Sequence, residues 1–569
     1  MPIKSRRPFA ALALGIVIAF PTPPAMADGL SGAYLAARHA SFYSDYSAGA
    51  EYYTKALIRD PSNAILLENA LMSFIGLGDM NRAIPVARKM ESQGVVSQIS
   101  RMVLIVDLAK KEKYDDIISM IDQGETIGPL VDGLVLAWAE LGRGKMSEAL
   151  AHFDKVSNEK GTRAFGLYHK ALALASAGDY EGADAILSGS TDGPLRATVS
   201  GVLAHAEILS QLERNEAAVE LLNSIFGEEL DPRVTQLQTD LLDGKKLPFT
   251  KATQPSEGLA EVFYTVAGAL NGETDDGYTL LYTRMAEYLD PNHIDAILIS
   301  AGLLERLERY ELATKAYNRV PRDNPSFHAA ELGRADALRK AGKQEAAIEV
   351  LEQLAKSHGD LPSVHAALGD ALRQLERYDL AAKAYDRALE LSGEPTANDW
   401  FIYYARGICF ERIDSWEKAD ADFRMALKLN PDQPQVLNYL GYSLLEKNIR
   451  LDEALEMIER AVSAVPNDGY ITDSLGWALY RLRRFEEAVG YMERAAELKP
   501  VDPIVNDHLG DTLWAVGRKL EAEFQWRRAM SFEPEEVDAD RIRRKLEVGL
   551  DAVLEEEGAE PIPVMANDG

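Results

Sequence analysis

Residues 469–500, GYITDSLGWALYRLRRFEEAVGYMERAAELKP, and 501–534, VDPIVNDHLGDTLWAVGRKLEAEFQWRRAMSFEP, carry one pattern twice. Leu475-Gly476 leads through Tyr480, Ala488 and Ala495 to Pro500, and Leu509-Gly510 leads through Leu513, Ala522 and Ala529 to Pro534, a period of about 34. Gly407, Phe410, Ala419, Phe423, Ala426 and Pro431 form another copy, and Ala301, Leu304, Ala313, Tyr317 and Pro325 another. Gly or Ala in the first half and Ala early in the second are what two antiparallel helices need where they approach most closely. Tyr or Phe one turn later fills the gap to the next copy, and Pro ends the second helix at a tight turn. Each copy is therefore a helical hairpin, and hairpins of this kind bury their apolar faces by stacking.

A helix-turn-helix of this length with these residues resembles the tetratricopeptide repeat. The resemblance implies an all-α, right-handed α-solenoid (superhelix) of about fourteen hairpins in two arms with a C-terminal capping helix. Repeats are expected to start near Leu30, Ala64, Gln98, Leu130, Ala164, Thr198, Ala260, Ile294, His328, Pro362, Trp400, Pro434, Gly469 and Pro503. Two copies are irregular: the one near Gln98 has Ile105 and Ile117 at small positions, and the one near Pro434 has an extra residue in its turn, Asn448 to Leu451.

Two segments break the period. Residues 243–258, DGKKLPFTKATQPSEG, lack helical periodicity and are expected to be a linker or an ordered crossing between an N-terminal array, 28–242, and a C-terminal array, 259–534. Residues 535–557 read as one amphipathic capping helix, with Val537, Ile542, Leu546, Leu550 and Val553 on one side and Arg541, Arg543, Arg544 and Lys545 largely exposed. Residues 558–569 are expected to be a mobile tail.

The amino-terminal 27 residues read as an address. Lys4, Arg6 and Arg7 precede an apolar run from Phe9 to Phe20, and Ala25 and Ala27 follow, the order a signal peptidase requires; cleavage is expected after Ala27. A retained anchor is the alternative, against which Pro21, Pro23 and Pro24 cut the apolar run short. Arg6-Arg7 leaves both the general and the twin-arginine export routes open. Either one predicts a periplasmic location, possible attachment at the outer membrane being peripheral, and no cysteine follows to carry a lipid anchor.

Composition narrows the chemistry. With 569 residues, 47% of them hydrophobic, the chain can bury enough apolar surface to fold over most of its length. Its 61 Lys and Arg against 90 Asp and Glu give a net charge of −29, the wrong sign for gripping phosphates of nucleic acid. One cysteine, Cys409, excludes an intrachain disulfide; mid-helix beside Ile408 and Phe410 it reads as a small buried hydrophobe. The nine histidines are scattered, and no hydrolase or phosphate-loop motif occurs, so neither catalysis nor a metal or other cofactor is expected. Residues 271–277, NGETDDG, imitate a calcium loop, but the Gly is displaced by one and no Glu closes it.

What remains is surface. In the tetratricopeptide family the first helix of each repeat lines a groove, and matching positions here imply an inner wall of Phe401, Tyr404, Asn438, Tyr442, Tyr470, Asp473, Trp477, Tyr480, Asp507, Asp511 and Trp514. Such aromatics either contact a protein partner or pack between repeats, and the carboxylates would favour Lys- or Arg-bearing segments. Trp138, Phe165 and Tyr168 form a second, weaker cluster. Residues 438–526 further resemble a proteobacterial envelope family of long repeat proteins, some of them lipoproteins that deliver substrates to a periplasmic carboxyl-terminal processing protease controlling peptidoglycan hydrolases. That resemblance implies a non-enzymatic adaptor with protein partners; the alternatives are a structural part of an outer-membrane or polysaccharide-export assembly, and an enzyme built across repeats.

Overall fold

The structure, a computed structural model, describes residues 30–124, 126–190, 198–227 and 232–562. The export segment, its cleavage point and residues 563–569 of the expected tail lie outside the described residues. All regular structure among the described residues is helical, and the chain divides into two compact units, Met1–Ala341 and Gly342–Gly569.

Unit 1 begins with α1 (Leu30–Phe42), α2 (Tyr46–Arg59), α3 (Ala64–Gly76), α4 (Met80–Ser92), α5 (Gln98–Lys110), α6 (Tyr114–Asp122), α7 (Pro129–Gly142), α8 (Met146–Asn158), α9 (Arg163–Ser176), α10 (Tyr180–Leu187), α11 (Val199–Gln211) and α12 (Asn215–Phe226). It continues with α13 (Pro232–Leu242), α14 (Pro255–Leu270), α15 (Asp276–Leu289), α16 (Ile294–Arg306), α17 (Tyr310–Tyr317) and α18 (Phe327–Lys340). Unit 2 holds α19 (Gln344–Ser357), α20 (Pro362–Gln374), α21 (Tyr378–Ser392), α22 (Trp400–Arg412), α23 (Trp416–Leu429), α24 (Pro434–Glu446), α25 (Leu451–Ala464), α26 (Gly469–Arg481), α27 (Phe485–Leu498), α28 (Pro503–Ala515), α29 (Lys519–Met530), α30 (Glu536–Val548) and α31 (Leu550–Glu556). First helices start within a residue of the positions read from the sequence, except that α14 starts at Pro255 rather than near Ala260.

The hairpins of unit 2 show why the small residues recur. Tyr385, Phe423 and Met492 of the second helices lie against Gly369, Gly407 and Gly476 of the first, where a Cβ would come within 2.6, 2.7 and 2.8 Å of them. At Gly510 a Cβ would overlap the Trp526 ring. Ala381, Ala419, Ala454, Ala488 and Ala522, early in the second helices, are fully buried. The turns inside the hairpins place one residue in the left-handed region, for instance Glu308, Glu376 and Asp414. In the α24–α25 turn the extra residue is absorbed by a second such residue, Asn448 and Arg450 both having positive φ.

In unit 1 the period is kept but the packing departs from a simple stack. α14 lies against α7 and α9, and α15 against α3 and α5, so the first-helix side of the amino-terminal hairpins is covered by a hairpin of the same chain. Phe263, Tyr282 and Met285 share one buried core with Leu71, Ile105, Trp138 and Phe153. Ile105 and Ile117, at positions where a small residue was expected, are fully buried, and α6 is only nine residues long. Residues 243–254 form an ordered crossing over α11: Leu247 N donates to Ser210 Oγ (2.9 Å), and Thr250 N and Oγ1 donate to Glu207 (2.8 and 2.7 Å). The last four residues of the expected 243–258 linker are the first turn of α14, entered through a Gln254–Glu257 capping box. The division between compact units falls at Ala341/Gly342 and not in this crossing.

The carboxyl-terminal cap also differs from the expectation of one helix. Gly549, at φ +85°, breaks it into α30 and α31. Val537 is exposed, whereas Ile542 and Leu550 are buried in one core with Leu513 and Trp526, and Val553 is buried as well. Lys545, expected outside, is one of the largest fully buried side chains. The tail begins tethered, with Arg483 donating to Glu560 (2.8 Å) and to Pro561 O.

Candidate functional site

The first helices α24, α26 and α28 lie side by side, so residues one repeat apart form ladders along the stack. One ladder is Tyr404, Asn438, Asp473 and Asp507, of which Tyr404, Asp473 and Asp507 meet side chains of a later helix. The Tyr404 ring lies edge-on to Tyr439 with centroids 5.9 Å apart. Asp473 Oδ2 pairs with His508 Nδ1 (2.9 Å), and Asp507 takes both oxygens to Lys545 Nζ (2.9 and 2.8 Å). Asn438 Oδ1 and Asp473 Oδ1 are buried without a donor among the described residues.

The carboxylates expected to greet a basic partner are thus answered from within the chain. Lys545 also reaches Asp511 Oδ1 (2.6 Å), and Arg541 reaches Asp511 Oδ2 (3.2 Å). Two buried acids share one buried ammonium and one partly exposed guanidinium. Burial, and then the like charge of Asp511, push the Asp507 carboxyl up to about 6 against the pull of Lys545. Burial alone would lower the His508 value, but Asp473, Asp507 and Asp511 together raise it. Trp514 is half-buried and engaged from within the chain: its Nε1 donates to Asp551 Oδ2 (3.0 Å), and Gly549 lies against the edge of its ring.

The aromatic part of the expected wall is different. Tyr404, Tyr442, Trp477 and Tyr480 are half-buried, while Phe401 and Tyr470 are exposed at 41% and 53%. Trp477 stacks on Tyr480 (4.7 Å) and His508 (4.0 Å), and its Nε1 donates to Glu446 (3.2 Å), which also pairs with Arg481. Tyr439, absent from the sequence-based set, belongs here too, its hydroxyl donating to Glu411 (3.3 Å). The face that remains open runs across α22, α24 and α26, with pinned rings and adaptable polar edges, a composition suited to protein contact.

The second cluster is closed off. Trp138 is fully buried, donates to His169 Nδ1 (3.2 Å), and lies where any side chain at Gly258 of α14 would overlap it. Tyr168 donates to Glu261 Oε1 (2.8 Å), and His293 Nε2 meets the other oxygen of Glu261 (2.9 Å). Burial would raise the Glu261 carboxyl, but His293, Lys251 and Tyr168 hold it down to about 2. Desolvation drives His169 down to about 4, so it is neutral at pH 7.

The candidate chemical sites have structural roles. Burial pushes the Cys409 thiol up to about 12. In the 271–277 loop Asp275 caps α15, and Asn271 and Asp276 accept from Arg306 (2.6 and 2.8 Å). Among the described residues no group of three or more His, Cys, Asp or Glu is placed to hold a metal ion, and no helix is long and apolar enough to cross a membrane.

Comparison with known proteins places this geometry. Overlapping segments between residues 300 and 530 match the family described as "Tetratricopeptide repeat": 300–362, 332–400, 366–434, 404–469, 444–503 and 474–530. A TPR repeat-containing protein of Pseudomonas aeruginosa is 30% identical over 193 residues, covering 33% of this chain and 31% of that protein. A human protein O-mannosyl-transferase is 27% identical over 196 residues, or 34% of this chain and 21% of that one. The chain thus spans less than a third of either relative. Among solved structures, the APC/C hetero-tetramer Cut9-Hcn1 covers 91% of this chain and 96% of its own at a TM-score of 0.38 and 15% identity. Repeats of this family are, as a class, non-enzymatic interaction scaffolds, and the order of small and large residues in this chain follows their pattern.

Proposed function

We propose that this chain, a tetratricopeptide repeat protein, is an exported adaptor of the bacterial cell envelope that binds another protein along the α22–α26 face of unit 2. The observation that carries the reading is the open aromatic lane of Phe401, Tyr404, Tyr442, Tyr470 and Trp477, spread over repeats that match the interaction-scaffold family. Tyr470 and Trp477, held by hydrogen bonds to Asp502 and Glu446, lose little entropy on binding, and Glu411 and Glu446 at the edges of the lane offer acceptors to a polar or basic segment. The export signal read at residues 1–27 supports the periplasm as the location. The resemblance of residues 438–526 to envelope adaptors supports a periplasmic protease or peptidoglycan-remodelling enzyme as the partner. The adaptor raises the local concentration of a client at that enzyme without chemistry of its own.

Two measurements test this reading. Fractionation with amino-terminal sequencing should recover a periplasmic chain beginning at Asp28; a cytoplasmic, unprocessed chain would refute the location. Affinity capture with the mature protein and with a folded Trp477→Ala variant should retain an envelope enzyme only in the first case. Equal capture by both would place binding elsewhere.

A further inference from the structure

Unit 1 contains a positively charged cleft in a chain whose net charge is −29. It has a volume of about 490 Å3 and lies where the turn after α3 and the end of α5 meet α15 and α17. Its charged lining residues are Lys110, Arg284, Lys315 and Arg319 against Glu287 alone. Glu287 is already saturated: Arg284 Nη1 lies 3.0 Å from one oxygen, and Arg319 and Ser300 donate to it as well. Burial would raise its pKa, but the two guanidinium groups hold it below the ordinary carboxylate value, so it stays ionised. It cancels one cation and leaves three in excess.

These cations are held in place rather than scattered. Arg284 is buried, with Nη2 fixed to Gly76 O (3.2 Å) and an Nε that finds no acceptor among the described residues. Lys110 Nζ is held on Leu289 O (2.9 Å) at the carboxyl end of α15, and Arg319 also donates to Pro291 O (3.2 Å). Lys315 is exposed and makes no ion pair among the described residues. Gly78, at φ +74°, passes the Arg284 guanidinium without a side chain to cover it. Leu77, Met80, Leu312 and Ala316 supply an apolar wall.

We propose that this cleft binds an organic phosphate, a phosphomonoester carried on an apolar or aromatic stem. A carboxylate would leave most of the excess positive charge unmatched, whereas a phosphate dianion, with its several acceptor oxygens, meets a fixed guanidinium and the ammonium groups together. The apolar wall is then covered by the stem. The site is independent of the α22–α26 face and stands or falls separately from the adaptor reading.

The test is calorimetric titration of the full chain with phenyl phosphate, inorganic phosphate and benzoate at one fixed ionic strength, repeated on Lys315→Glu and Lys110→Gln variants. Phenyl phosphate should bind, inorganic phosphate and benzoate should each bind about tenfold or more weakly, and Lys315→Glu should weaken phenyl phosphate by about tenfold or more. Lys315 is exposed and makes no ion pair among the described residues, so its variant should keep the circular dichroism of the parent; Lys110→Gln is a second reading of the same charge. Benzoate binding as tightly as phenyl phosphate would overturn the phosphate assignment. Inorganic phosphate binding as tightly would overturn the organic stem, and affinity unchanged in both variants would overturn the site.

Discussion

Replacing Lys545 by Met removes the ammonium that Asp507 and Asp511 share at 2.6 to 2.9 Å, while leaving a side chain of similar size in a fully buried position. Removing one partner of a buried ion pair costs about 3–5 kcal/mol, because the remaining charge has lost its water as well as its counter-ion. Ile542, Leu550 and Val553 hold the cap by apolar burial, each contributing about 1.5–3 kcal/mol before the entropy of ordering α30 and α31 is subtracted. The loss is therefore comparable to the docking energy of the cap, and residues 536–556 should open locally before the rest of unit 2. Hydrogen exchange followed by mass spectrometry should show these amides exchanging roughly a hundredfold faster or more. Emission from Trp514 and Trp526 should shift to the red as the cap lifts from them. Because the Asp507 carboxyl already stands at about 6, protonation relieves part of the cost, so the variant should recover protection between pH 8 and pH 5. Adding Asp507→Asn and Asp511→Asn should return stability to within about 1 kcal/mol of the parent. Unchanged exchange in Lys545→Met, or no rescue by the paired Asn substitutions, would refute the reasoning.

Further outcomes follow from other packed sites. Gly258→Val puts a branched side chain into the Trp138 ring and should cost about 1–3 kcal/mol or more, seen as a lower melting temperature and faster proteolysis within α14. The two units should respond oppositely to mild acid. His169, whose folded pKa is lowered from 6.5 to about 4, stabilises unit 1 above pH 6.5, and that contribution, about 3 kcal/mol at most, is lost as pH falls toward 4. His508 and Asp507 have raised folded pKa values, so their contributions are present at low pH and are lost as pH rises, for Asp507 through about 6. Amide exchange between pH 8 and pH 5.5, corrected for intrinsic rates, should therefore show α9 losing protection and α28 gaining it. Glu376→Gly relieves a left-handed glutamate at φ +57° and should leave stability unchanged or raise it by up to about 1 kcal/mol in thermal melts.

Much of this architecture is written in local periodicity. The starts of the first helices could be read because one glycine or alanine per hairpin must face one large residue, as Gly407 faces Phe423 and Gly476 faces Met492. That rule is local, and it says nothing of what covers the outer side of a first helix. The segment that starts near Ala260 reads as one more repeat, yet its helices, α14 and α15, cover the first-helix side of their predecessors. The available signal was the charge inside these two helices, Glu261 in α14 and Arg284 with Glu287 in α15, since buried charges need partners. Lys545 was misplaced for a related reason. It lies beyond the last repeat, and among Arg541, Arg543 and Arg544 nothing in the local sequence marks it as the cation that enters the core. The aromatic ladder was legible by position, but whether a ring points along the stack or away from it depends on the next helix, as Tyr404 and Tyr439 show.

The central claim, that another protein docks on the α22–α26 face, is tested most directly by site-specific photo-crosslinking in cells. A benzophenone amino acid is placed at Phe401 or Tyr470, both exposed on first helices, and as a control at Tyr491, exposed at 41% on the second helix α27. The account predicts one discrete adduct, with the same partner from Phe401 and Tyr470 and none from Tyr491. Adducts from Tyr491 alone, or none from the two first-helix positions while the partner still co-purifies, would contradict it.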